Sequence, residues 1–75
     1  MNTNHTFSEA LNWMLINNGT ISLTLNNVKR IYYKDEDNDI ICIPNENKNS
    51  AYRVTQFMID AVLSNEWQLY EINQE

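Results

Sequence analysis

The stretch 20-TISLTLNNVKRIYYK-34 decides the fold. Ile21, Leu23 and Leu25 alternate with Thr20, Ser22 and Thr24, the period of two that marks a half-buried strand. Asn26-Asn27 follows, and asparagine tolerates the positive φ that a two-residue hairpin turn requires. Val28 to Lys34 predicts a second strand, with Ile31 and Tyr33 on one face and Arg30, Tyr32 and Lys34 on the other. Strands joined by so short a turn are antiparallel.

On the N-terminal side the period is that of a helix. Thr6-Phe7-Ser8-Glu9 reads as a capping box, in which the Thr6 hydroxyl accepts from the Glu9 amide and Glu9 reaches back. Phe7, Ala10, Leu11 and Met14 then recur as one apolar stripe. Asn17-Asn18-Gly19 ends the helix, with Gly19 expected in the left-handed C′ conformation. Trp13 and Ile16 fall outside the stripe, which predicts a wide buried face or a surface for a partner.

On the C-terminal side, Asp35 to Asp39 reads as an acidic turn, Ile40 to Ile43 as a third strand and 44-PNENKNS-50 as a loop. Ala51 to Val54 suits a short strand. Thr55 is expected to cap a second helix from Gln56 to about Ser64, with Phe57, Met58, Ala61 and Val62 facing inward. Trp67 to Ile72 closes the chain as a strand, with Trp67 and Leu69 on one side. The fold class expected is therefore α+β: an antiparallel sheet of four to five strands packed with two short helices. Residues 1–5 are expected as a disordered tail and 6–75 as a single domain.

A chain of 75 residues buries only about 60% of its unfolded surface, so its core is marginal and oligomerisation or a ligand is the expected supplement. A lone cysteine, Cys42, cannot form an internal disulfide and does not make a zinc site. No apolar run reaches the roughly 18 residues of a membrane span. The N-terminus lacks a signal-peptide pattern, so a cytoplasmic location and no membrane partner are expected. The net charge of −5 argues against binding DNA or RNA, which needs a positive face. It leaves room for a small anion held by two or three cations. It also suits an acidic surface that docks on a basic protein in imitation of nucleic acid.

The segment 35-DEDNDIICIPNE-46 places carboxylates at positions 1, 3, 5 and 12 of a calcium-binding EF-hand loop. That loop requires glycine at position 6, where this chain has Ile40, and a helix on each side, where this chain reads as strand. A hairpin turn is the better reading, and no metal site is expected. His5 has no second ligand or base beside it, Cys42 lies in an apolar strand, and Gly19 is the only glycine, which excludes a glycine-rich phosphate loop. Asp60 and Glu66 lack a partner that would mark an acid–base pair. Neither enzymatic activity nor a cofactor is expected. What remains is a set of cations and aromatics: Arg30, Tyr32, Lys34, Tyr52, Arg53 and Gln56. Arginine suits phosphate oxygens, tyrosine stacks on a base or sugar, and amides near Thr55 and Gln56 suit an anion.

Two segments carry a family resemblance. The opening TFSEALNWMLINNGTI resembles an "FxEAL…L…G" helix followed by a strand, and 57-FMIDAVLSNEWQLYE-71 resembles a short helix, an "LxxDW" turn and a last strand. Leu63, Glu66 and Trp67 hold the places of the latter motif, with glutamate instead of aspartate. The pattern is similar to that of the Thoeris anti-defence two-like group of small phage proteins, and covers about half the chain. The resemblance implies an α+β subunit that assembles as a homo-oligomer in the host cell cytoplasm. It implies sequestration, without turnover, of a cyclic nucleotide or cyclic ADP-ribose isomer in pockets between subunits. The basic segment with tryptophan and glycine that family members carry after the first helix is replaced here by 20-TISLTLNNVKRIYYK-34, so no pocket residue carries over from it. The alternative is an acidic inhibitor of a host defence protein, suggested by the net charge and the acidic turn.

Overall fold

The hairpin forms with the register that its two-residue turn dictates. Asn26 and Asn27 both take positive φ (53° and 66°), so Leu25 stands opposite Val28 and Ile21 opposite Tyr32. In the computed structural model, which describes residues 4–70, helix α1 (Phe7–Asn17) precedes this pair, β1 (Thr20–Leu25) and β2 (Val28–Lys34). Then come β3 (Ile40–Pro44), a single 3₁₀ turn (Lys48–Ser50), β4 (Tyr52–Arg53), helix α2 (Ile59–Leu63) and β5 (Gln68–Tyr70). The five strands make one antiparallel sheet in the order β4-β3-β2-β1-β5. The chain is thus α+β, one antiparallel sheet with two helices. Among the described residues no helix is long and apolar enough to cross a membrane.

One face of the sheet is the core. Across it runs a row that takes one residue from every strand: Leu69, Ile21, Tyr32, Cys42 and Tyr52. Ile21, Leu23, Tyr32 and Cys42 are buried there beneath Ala10 and Met14 of α1, Ala61 of α2 and Trp67. The two faces of β2 divide as the sequence predicts, and the core takes the side of Arg30, Tyr32 and Lys34. Tyr32 faces inward, while Ile31 stands opposite Ser22 and Tyr33 opposite Thr20 on the other face. The reason is the register: even positions of β2 face the odd, apolar positions of β1.

The Thr6 capping box forms as expected, with Glu9 N donating to Thr6 Oγ1 at 3.1 Å and Thr6 N to Glu9 Oε1 at 3.0 Å. The helix C-terminus differs. Asn18, not Gly19, takes the left-handed conformation (φ 55°), and its N–H donates to the Met14 carbonyl. Gly19 is required for space instead. A Cβ there would lie 2.3 Å and 2.4 Å from atoms of the Trp13 ring, which packs against the core. Ile16 stays in solvent, 76% exposed.

The second helix is shorter than expected. It starts at Ile59, its N-cap is Met58 with no side-chain cap bond, and Thr55 lies outside it. Phe57 is drawn into the core before the helix begins, against Phe7, Tyr32 and Trp67 at ring-centroid distances of 4.9, 5.3 and 6.4 Å. Met58 and Val62, expected inward, are exposed, because a helix of five residues starting after Phe57 buries only Ala61. At the other end Trp67 pairs with His5: His5 N donates to Trp67 O at 2.9 Å and Trp67 N to His5 O at 3.0 Å. His5, expected in a free tail, thereby extends the sheet edge. The expected end of the last strand, at 71–72, lies outside the described residues.

The Trp13–Gly19 contact gives a test. Gly19→Ala is expected to lower stability by about 1–3 kcal/mol through overpacking, read by urea denaturation. Trp13→Leu in the same chain should return part of that loss.

Candidate functional site

The six residues of the expected binding set do not form one site. Arg30, Tyr32 and Tyr52 come together on the helix-bearing face of the sheet, because β2, β3 and β4 are neighbours and Cys42 of β3 pairs with both tyrosines. Tyr32 forms the buried floor of this patch, its ring 5.3 Å from those of Phe57 and Trp67. Tyr52 is at the open edge, 48% exposed, and Arg30 is half-buried beside it. The Tyr32 ring is therefore a packing surface, not a free stacking platform.

The electrostatics of the patch follow from that layering. Burial pushes the Tyr32 phenol up, with the Cys42 thiol adding to the effect. The Tyr52 phenol is also raised, first by its hydrogen bond with Cys42 and then by burial. Arg30, on the same face of β2 as Tyr32, pulls both phenols the other way to a lesser extent. At neutral pH the patch presents one cation, one neutral phenol and an aromatic face. Among these groups no base is poised to take a proton. Such a surface recognises an anion carried on a flat ring.

Of the other three expected residues, Lys34 is on the same face of β2 as Arg30 and Tyr32, two positions past Tyr32. Arg53 projects from the opposite side of the sheet, pairs with Ile41 in the ladder and reaches Asp39 Oδ2 at 3.9 Å. Gln56 is exposed in the segment before α2. Lys34 ends β2 and, with Asn18, Tyr33, Asp35, Glu36 and Asp37, lines an open depression of about 500 Å³ at one end of the sheet. The acidic turn is a β2–β3 hairpin, flanked by strands and not by helices. Asp35 Oδ1 accepts from the N–H groups of Asp37 and Asp39, both at 2.9 Å. Oxygens of Asp35, Asp37 and Asp39 come within 4.8 Å of one another, but one of them already serves the backbone. The cluster shapes the turn.

A further polar group escapes sequence reasoning. Ser22, on the helix-free face, is buried and donates to the Tyr70 hydroxyl at 3.1 Å. Lys29 Nζ sits 5.5 Å from the centre of the Tyr70 ring and 3.6 Å from Glu46 Oε2. The signal was present in the alternation of β1, since Ser22 belongs to the outward set, but its partner comes from 48 residues away. Comparison of the chain with protein-family models, characterised proteins and solved structures finds no match.

The tyrosines supply a spectroscopic check. Ser22 donates a hydrogen bond that favours the Tyr70 phenolate, which holds that phenol below its ordinary 10.0, with Lys29 assisting. Titration followed by tyrosinate absorbance should show Tyr70 ionising early, with Tyr32 last. Ser22→Ala is expected to move the early step upward and leave the last one unchanged.

Proposed function

We propose that this chain is a non-catalytic binding subunit that captures a small nucleotide signal within a homo-oligomer. The ligand class is a cyclic nucleotide or a cyclic ADP-ribose isomer, and the setting is the cytoplasm of a phage-infected cell. The single observation that carries the reading is that Arg30 and Tyr52 share one face at the β4 edge of the sheet, beside a buried aromatic cluster. The resemblance of the two chain ends to a phage family of nucleotide sponges supports the ligand class.

In this reading the guanidinium of Arg30 contacts phosphate oxygens, and the exposed ring of Tyr52 stacks on the base or sugar. Tyr32 contributes indirectly, as the buried floor that fixes both neighbours. One subunit covers only one side of a nucleotide, so a second subunit closes the pocket. Binding without turnover needs no acid–base pair. Arg53 stands on the opposite side of the sheet, beside Asp39, so it is removed from the proposed contact set.

A second reading rests on its own observation. Glu36 and Asp37 are exposed at the tip of the β2–β3 hairpin, with Asp35 and Asp39 beneath them. That tip suits docking on a basic surface of a host defence protein. Capture from host lysate separates the two readings: a stoichiometric protein partner favours the inhibitor, and a released UV-absorbing small molecule favours the sponge.

The direct test is a melting-temperature shift of the purified chain with a panel of cyclic di- and trinucleotides and cyclic ADP-ribose isomers. At least one should raise the melting temperature. Arg30→Ala and Tyr52→Ala should each weaken that ligand by about tenfold or more, as expected for loss of a charge-assisted hydrogen bond or a stacked ring. Absence of any shift in a folded sample would remove the sponge reading.

A further inference from the structure

Tyr70 lies on the helix-free face of the sheet, and its ring reaches from β5 across β1 toward β2. Its oxygen accepts from the Ser22 hydroxyl at 3.1 Å, and Ser22 is only 2% exposed. Lys29 stands on the same face, opposite Thr24, with its ammonium 5.5 Å from the centre of the Tyr70 ring. The loop after β3 holds that lysine from two directions. Asn45 N donates to the Lys29 carbonyl at 2.7 Å, and Lys29 N donates to Asn45 Oδ1 at 3.3 Å. Glu46 then brings its carboxylate to 3.6 Å from Lys29 Nζ, and does so from a left-handed backbone (φ 60°) that glutamate seldom adopts. Tyr70 itself remains 38% exposed.

A donor and a cation beside a phenol both favour its phenolate. Here they outweigh burial and the opposing charge of Glu46, so the Tyr70 phenol is held below its ordinary 10.0. Lys29 is shifted upward in return, by Tyr70 first, so it stays an ammonium and is no competing nucleophile. The other tyrosines differ. Tyr32 is buried and its phenol is raised. Tyr52 is open to solvent, but its phenol is raised as well, first by its hydrogen bond with Cys42. Accessibility and a stabilised phenolate coincide at Tyr70.

We infer that Tyr70 is a modification site, a phenol that accepts a sulfonyl or phosphoryl group from an activated donor. In that step the Tyr70 oxygen bonds to the sulfur or phosphorus, and the bond from that atom to its leaving group breaks. The leaving group departs with the electron pair, and the phenol proton goes to solvent. Such centres gather negative charge on their oxygens as they react, and the Lys29 ammonium stands beside the oxygen that attacks. Ser22 occupies one lone pair of that oxygen and fixes its direction, while the exposed side stays open to the electrophile. The site is separate from the nucleotide contacts proposed above, because Arg30 and Tyr52 are on the helix-bearing face.

The probe is benzenesulfonyl fluoride, added to the full chain near neutral pH, with fluoride as the leaving group. Rates are read by intact mass, sites by peptide fragmentation and folding by circular dichroism. The first adduct is expected on Tyr70, forming about tenfold or more faster than on Tyr52, whose phenol is shifted the other way. Lys29→Met should slow the Tyr70 reaction about tenfold, less than the loss of a buried oxyanion donor because solvent screens this site. Lys29→Arg should keep most of the rate, since it keeps the charge. Ser22→Ala should slow the reaction too. Should that buried change unfold the chain, the two Lys29 variants decide the matter. A first adduct on any other residue, no adduct at all, or a Lys29→Met rate equal to wild type overturns the assignment.

Discussion

Trp67 stands where the N-terminus, both helices and the sheet meet. Its indole N–H donates to the Ala61 carbonyl at 2.9 Å, and its backbone exchanges two hydrogen bonds with His5. Its ring lies 5.6 Å from Phe7 of α1 and 5.3 Å from Tyr32 of β2. A five-residue helix has little stability of its own, since an isolated helix of that length barely outlasts its nucleation cost. Hence α2 depends on Trp67, which bonds its middle residue Ala61, and on Phe57, which packs into the core just before its first turn. Removing the indole would leave the Ala61 carbonyl without a buried donor and open a hole among three aromatic rings, those of Phe7, Tyr32 and Phe57.

That anchor requires Tyr32 to be inside, and the rest of the surface follows from it. With Tyr32 inward, Arg30 is carried to the edge of the same face and meets Tyr52 through the shared neighbour Cys42. Ile31 and Tyr33 are necessarily turned outward, where Ile41 and Ile43 join them. One register thus produces two features of the surface: a small cation–aromatic patch beside the helices and an apolar face without helices. The small core and the uncovered face are two sides of one constraint. A chain of this length has too few residues to cover both sides of a five-stranded sheet.

The local devices were legible in the sequence. The Thr6–Glu9 capping box, the Asn26-Asn27 turn and the strand character of 40–43 each depend on residues within a few positions. Asparagine abundance also acquires a physical meaning, since among the described residues five of the six with positive φ are asparagine. Which face of β2 joins the core is not legible from the strand alone, because Ile31, Tyr32 and Tyr33 give no alternation of apolar and polar. The hairpin held the answer: a two-residue turn that pairs Leu25 with Val28 also pairs Ile21 with Tyr32. Thr55 was misread as a cap because the local pattern omits the pull of Phe57 toward the aromatic cluster. The candidate site was only half legible. Arg30, Tyr32 and Tyr52 are joined by pairing across three strands and Lys34 shares their face of β2, whereas Arg53 stands on the opposite side and Gln56 lies in the exposed segment before α2.

The register of β2 bears all of this, and a proton NOE experiment on the full chain tests it most directly. The account predicts cross-peaks from the Tyr32 ring to the Trp67 indole and the Phe57 ring, with none from Tyr33 to either. Cross-peaks from Tyr33 or Ile31 to Trp67 would contradict it, because the cation–aromatic patch and the apolar outer face would then both be misplaced.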